Sequence, residues 1–335
     1  MVRESFRLGL ALRGYGDPLH TLSVCRRAEQ LGYSRLWFVE VNDVDVFAMS
    51  MAAAKETRSI GVASGVVNTY TRLPTTVAMG AATVSALTGG RFTLGIGVGS
   101  PPIAYTRKRG ETSLRRFRET LEIVTQLLKE GRTTHHGVVF EVNDFQLGVN
   151  HQPIPVYAAG MGLGTLGVAA ELADGALLML PTLNLVREAL IIIRGKLGKR
   201  GSPSFTVASH MITVCSDDPE EALREAKRAV ATYAAIPAYR HNFERLGYQK
   251  ETQEIAQYAR LGLETAVECV PDRMVDDFIV YGDPEKCLRT IETYVEAGVA
   301  EPVVYPYASK RENYLDALTR TVEALGGLLG GSTQT

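Results

Sequence analysis

The chain has 335 residues, 45% hydrophobic and 22% charged, with a formal net charge of −1. That balance suits one large α/β barrel or two ordinary domains; it argues against general disorder and against a nucleic-acid-binding surface. Four scattered cysteines (Cys25, Cys215, Cys269, Cys287) without CxxC spacing argue against a disulfide framework or zinc site and read as reduced thiols of a cytoplasmic protein, and no apolar run approaches the ~20 residues of a membrane span.

Residues 6–12 read as a first strand, too short an apolar run for a signal peptide, ending at Arg13-Gly14-Tyr15-Gly16. Asp17-Pro18 opens a helix whose apolar residues recur at helical spacing to Leu31, and Gly32 closes it. A second strand at 34–39 (SRLWFV) runs into Glu40-Val41-Asn42-Asp43, and 46–55 is a helix of small and apolar residues. Asp43 and Asp45 read as charges at its N-terminus. The β-branched run 60–67 reads as a third strand, and a polar loop with Asn68, Tyr70, Thr71 and Arg72 follows. Pro74 stands where a helix starts, small residues carry it through 75–87, and Thr88-Gly89-Gly90 ends it. A fourth strand at 91–96 opens into Gly97-Val98-Gly99-Ser100. Strands three and four are apolar on both faces, as in a parallel sheet covered by helices.

Beyond an irregular loop at 101–112 comes an amphipathic helix at 113–130, stopped by Gly131, and then a hairpin excursion at 133–147 turning at Gly137. Strands are expected at 154–158, 175–180, 205–214 and 302–305, with helices at 183–197, 284–297 and 311–329. Residues 219–263 read as helix with one break at Pro237, long for a barrel helix and therefore an insertion. Eight strands alternating with helices predict a TIM-like (β/α)8 barrel over 1–335, one domain with insertions near 101–112, 132–150 and 219–271.

The chemistry of such folds gathers at the C-terminal strand ends. Ala159-Gly160-Met161-Gly162-Leu163-Gly164-Thr165 is a glycine-rich turn opening a helix; it reads as a phosphate site on free N–H groups, or as a tight turn with no ligand. Gly97, Val98, Gly99 and Ser100 can lay backbone against a flat ring, or only pack closely in a barrel mouth. Ser64, Gly65, Val66 and Asn68 mark a strand end able to bulge towards a ligand, with an ordinary strand end as the alternative. Glu40 reads as a general acid or a group that orients substrate, or else as a solvated loop charge or half of a structural salt bridge. Arg107-Lys108-Arg109 reads as a solvated surface run, or as a site for an anionic tail, and the six histidines show no HxH or HExxH metal pattern.

The stretch DVFAMSMAAAKETRSIGVASGVVNTYTRLPTTVAMGAATVSALTGGRFTLGIGVGS resembles the bacterial luciferase-like superfamily, and within it the methylene-tetrahydromethanopterin reductase branch. The pairing of NTYTRLP with LTGGRFTLGIGVG carries the resemblance; RRFRETLEIVTQLLKEG, PIPVYAAGMGLGTLGVAAELADGALL and YGDPEKCLRTIETYVEAGV support it. The resemblance implies a TIM-like barrel, commonly a homodimer, that binds coenzyme F420 (a 5-deazaflavin) or FMN at its mouth. It further implies a non-prolyl cis peptide at Gly65-Val66 under one ring face, ring or side-chain contacts from Gly97 to Ser100, and the phosphate held by Gly160 to Thr165. One departure stands out. The Asp-His usual after strand two in the deazaflavin enzymes is Glu40-Val41 here, and valine cannot donate a proton. The reading that results is an F420-dependent oxidoreductase exchanging a hydride with a small organic substrate. The alternatives are an FMN-dependent monooxygenase and a non-catalytic flavin-binding barrel.

Overall fold

The computed structural model describes residues 7–14, 17–99, 113–200, 205–308 and 313–330. The first half of the chain runs β1 (Gly9–Leu12), α1 (Pro18–Gln30), β2 (Arg35–Phe38), α2 (Val46–Glu56), β3 (Gly61–Ser64), a two-residue β4 (Val67–Asn68), α3 (Pro74–Thr88), β5 (Phe92–Gly97) and α4 (Ser113–Glu130). A hairpin of β6 (Arg132–His136) and β7 (Glu141–Gln146) precedes β8 (Val156–Ala159), α5 (Leu163–Leu172), β9 (Gly175–Met179), α6 (Leu183–Arg200) and β10 (Thr206–Cys215). The chain then forms α7 (Pro219–Ala235), α8 (Pro237–Arg245), α9 (Gln249–Tyr258), α10 (Leu263–Glu268) and α11 (Asp272–Phe278), and ends with β11 (Val280–Gly282), α12 (Pro284–Glu296), β12 (Glu301–Pro306) and α13 (Tyr314–Gly330). Strands β1, β2, β3, β5, β8, β9, β10 and β12 pair in that order, all parallel, and β12 pairs back to β1. The barrel therefore closes, and each of its strands coincides with one of the eight expected.

Closure explains the unbroken apolar runs. Alternate residues point to opposite faces of a strand, and here both faces are dry. Leu10, Leu36, Phe38, Val62, Leu94 and Ile96 pack outward in one core with the helices. Ala11, Trp37, Ala63, Tyr157, Leu177 and Val303 fall in a second core with the barrel's inner positions. The large inner side chains sit over neighbouring glycines: a Cβ on Gly9 would lie 3.2 Å from Trp37 Nε1, and one on Gly175 2.9 Å from Tyr157 Cδ1. Near the N-terminal ends of the strands, Glu301 of β12 forms an ion pair with Arg35 and accepts a hydrogen bond from Trp37 Nε1 at 2.9 Å.

Four helices start on an aspartate whose carboxylate accepts from their first-turn N–H groups: Asp17, Asp45, Asp218 and Asp283. Such caps contribute about 1 kcal/mol each. Of the two aspartates assigned to the start of α2, Asp45 is the cap, accepting from Ala48 N at 2.9 Å. Asp43 instead accepts from Arg13 Nε at 3.2 Å.

The segment after β10 is more broken than one stop at Pro237. Gly247 and Gly262 adopt positive φ values of 98° and 148° and divide it further. Strand β11 also escaped the sequence reading. It has three residues, paired only with the end of β10 (Thr213↔Val280 to Cys215↔Gly282), too short for a periodic signal. Side chains of this segment, among them Ala229, Phe243, Ile255 and Phe278, belong to the same core as the barrel's inner residues. Among the described residues no helix is long and apolar enough to cross a membrane.

Candidate active site

The C-terminal ends of β3, β5 and β8 meet where glycines leave almost only backbone. Strand β3 ends at Ser64, the Gly65-Val66 peptide is cis, and the chain resumes as β4 beside β5. Ser64 Oγ donates to the Gly95 carbonyl at 3.0 Å and accepts from Gly95 N at 2.9 Å, so this side chain braces β3 on β5. A Cβ on Gly95 would lie 2.1 Å from the Ser64 carbonyl oxygen; one on Gly97 would lie 2.7 Å from Val66 Cγ2 and 3.2 Å from Ala159 Cβ. Val66 thus sits between the ends of β5 and β8. Asn68 is buried; its Oδ1 accepts from Tyr70 N at 2.8 Å, and its amide lies beside Gly99, which has a φ of 63°. Val98 packs partly buried against the outer core. Ser100 and the basic run Arg107-Lys108-Arg109 lie outside the described residues.

The turn after β8 runs from Ala159 into α5. Gly160 N donates to the Leu177 carbonyl at 3.3 Å, and a Cβ on Gly160 would meet Thr165 Oγ1 at 2.3 Å. Gly162 is the N-cap and offers no side chain to the first turn; Thr165 Oγ1 is directed back to the Gly162 carbonyl at 2.7 Å. The first N–H groups of a helix have no partner within it, so this turn presents uncapped donors at the positive end of the helix dipole. Leu163 is exposed and Gly164 lies against Leu114. Arg245, from α8, spans the same place: it donates to the Met161 carbonyl at 3.4 Å and pairs with Glu188 at 2.8 Å.

Glu40 follows β2 on the same rim, and the structure supplies its partner. Arg72, in the loop before α3, forms ion pairs with both Glu40 and Asp45 and lies over the Phe47 ring, 5.2 Å from its centroid. The hydrogen bond to Glu40, opposed by burial and reinforced by Asp45, raises the Arg72 guanidinium further above its ordinary value. Burial works against the Asp45 carboxylate, but bonds from Arg72 and the Ala48 N–H hold it below the usual range. Val41, at the departure from the Asp-His pattern, is half exposed.

One inner residue was not singled out from the sequence. His210, in the middle of β10, is 3% exposed and packs edge-on to Trp37 and Tyr305, with ring centroids 5.9 and 5.8 Å away. Its Nε2 is buried and has no hydrogen-bond partner among the described residues. The signal was there in ASHMITV, a histidine inside an otherwise apolar strand, but it matched no metal or catalytic spacing.

Against known proteins, the family model described as luciferase-like monooxygenase matches residues 5–301. The chain belongs to the luciferase-like monooxygenase family. Within this family it is similar to the 5,10-methylenetetrahydromethanopterin reductase of Archaeoglobus fulgidus, 29% identical over 82% of this chain and 86% of the relative. A putative coenzyme F420-dependent oxidoreductase of Mycobacterium tuberculosis is 27% identical over 95% of this chain and all of the relative. Among solved structures, the coenzyme F420-dependent tetrahydromethanopterin reductase of Methanopyrus kandleri superposes with a TM-score of 0.81, covering 97% of this chain and 100% of that one at 22% identity, which shows the shared fold.

The luciferase-like barrel carries a pH dependence of its own at His210. Burial alone pushes the imidazole from 6.5 down to about 3. The unfolded chain then binds a proton that the folded chain refuses, so stability is present above pH 6.5 and is lost as pH falls towards 3. We expect His210→Phe to flatten the acid limb of a denaturant-midpoint profile by up to about 1.4 kcal/mol per pH unit within that window. An unchanged slope would mean that other groups set it.

Proposed function

We propose that this protein is a coenzyme F420-dependent oxidoreductase that exchanges a hydride between the deazaflavin and a small organic substrate at the barrel mouth. The observation that carries the reading is the backbone-lined seat at the ends of β3, β5 and β8, where a side chain on Gly95 or Gly97 would collide with Ser64, Val66 and Ala159. The names of the relatives, reductases and oxidoreductases that use F420, support the same cofactor. The residues fit it. Gly65, Val66, Gly97 and Gly99 would seat the flat ring on backbone, and the uncapped turn from Gly160 to Thr165 would hold the phosphate.

When bound, the deazaflavin supplies or accepts the hydride; the chain supplies position and electrostatics. Gly97 keeps the seat low, because any side chain there would meet Val66 and Ala159. Glu40 is held by Arg72 as a fixed hydrogen-bond acceptor at the rim, where it would orient an N–H or O–H of the ring or substrate. Holding donor and acceptor carbons in contact accounts for much of the rate in such a site. By the same resemblance, we take the working assembly to be a homodimer in the cytoplasm.

A parallel titration of apoprotein with F420 and FMN, followed by fluorescence, tests the reading. We expect tighter binding of the deazaflavin. The reading fails if FMN binds tightly and the deazaflavin does not. That outcome, which the Glu40-Val41 departure favours, would make the protein an FMN-dependent monooxygenase, checked by oxygen uptake with reduced FMN.

A further inference from the structure

The sequence resemblance places a bulge under the ring but says nothing of what supports it. Glycine at 65 is not demanded by backbone conformation, since its φ is not positive. It is demanded by space: a Cβ there would lie 2.7 Å from His210 Cε1 and 3.0 Å from His210 Nε2, with Trp37 Cβ next at 3.3 Å. Real Cβ contacts almost never fall below 3.0 Å. The imidazole therefore fills the space directly behind the strand end that turns into the bulge.

His210 is held rigidly in that position. It lies mid-strand, where β10 pairs with β9 and β12 at once (His210↔Met179 and His210↔Val303). Trp37 and Tyr305 clamp the ring on two edges. Among the described residues Nε2 has no hydrogen-bond partner, so what the ring contributes at this place is its volume against Gly65, which an aromatic ring of similar shape would also supply.

We propose that His210 is a positioning residue for the ring site: its imidazole props Gly65-Val66 from inside the barrel and sets the height at which the flat ring is seated. The proposal rests on the ring-binding reading above and adds a residue to it. His210 acts through Gly65 and touches neither ring nor substrate.

The test is a double-mutant cycle on the full-length protein, His210→Ala, Gly65→Ala and the pair, read as dissociation constants for F420 and FMN, the absorption spectrum of the bound ring, and the denaturant midpoint. His210→Phe is the shape-keeping control. We expect His210→Ala to weaken ring binding about tenfold and to shift the bound spectrum, and His210→Phe to stay within about threefold. Gly65→Ala should lose at least as much, and the double variant should recover most of that loss, because the methyl then occupies space the imidazole vacated. The control also separates seat from stability: a prop alters affinity and spectrum with Ala but not with Phe, whatever the two do to the midpoint. Ring binding unchanged in His210→Ala, or additive losses in the double variant, overturns the proposal. A wild type that prefers FMN but shows the coupling overturns the F420 reading and keeps the prop; one that binds neither ring overturns both.

Discussion

Glu301→Ala is expected to lower the free energy of unfolding by about 3–5 kcal/mol, the range for removing one partner of a buried ion pair. The Glu301 carboxylate is 6% exposed and has two duties: it pairs with Arg35 and accepts from Trp37 Nε1 at 2.9 Å. Arg35 has one other acceptor nearby, the Tyr157 hydroxyl, and its Nε is buried with no partner among the described residues. Truncation removes the carboxylate from a largely buried guanidinium and leaves the buried indole N–H without its acceptor. Glu301→Gln should fall between wild type and Ala, since the amide oxygen still accepts from Trp37 while the charge is lost. Urea unfolding followed by Trp37 fluorescence reads this directly, as it is the one tryptophan in the chain. A Glu301→Ala protein within about 1 kcal/mol of wild type would show that water or rearrangement compensates the pair.

The second large effect is on activity. Glu40→Gln should reduce kcat/KM for hydride transfer about 100-fold, the lower end of what a positioned acid, base or orienting carboxylate contributes. The substitution keeps size and removes charge, and Arg72 retains Asp45, so stability should change far less than activity. Arg72→Met is the complement. It leaves Glu40 and Asp45 on one rim with no cation between them, and should reduce both activity and stability. If Glu40→Gln retains activity within about threefold, Glu40 and Arg72 form a brace only, and the orienting group lies elsewhere in the mouth.

Much of this was legible in the sequence because each strand is buried on both faces and each turn has its own chemistry. The runs at 34–39, 60–67 and 91–96 have no polar alternation to confuse, and Asp17, Asp218 and Asp283 each stand directly before a proline at a helix start. The legible part of the candidate site was backbone: glycines at 65, 97, 99 and 160 register as letters because a Cβ at each would collide with a neighbour. The part that was missed depends on contacts between distant residues. Arg72 reaches Glu40 across 32 positions, His210 meets Gly65 across the barrel, and Arg245 reaches Met161 from the inserted helices. No local period encodes such pairs. Strand β11 was invisible for a different reason, being only three residues long.

The long strand β10 has one more consequence. Its first half pairs with β9, and its last three residues pair with β11, the strand that ends the inserted helices. The insertion thus leaves from one strand and returns to the same strand, so its two ends are stapled together independently of whatever lies between them. Between those two pairings the helices are tied to the barrel by side chains of its inner core, among them Ala229, Phe243, Ile255 and Phe278. A substitution within that segment is therefore transmitted to the barrel mouth, since Arg245 of α8 already reaches the Met161 carbonyl in the turn after β8.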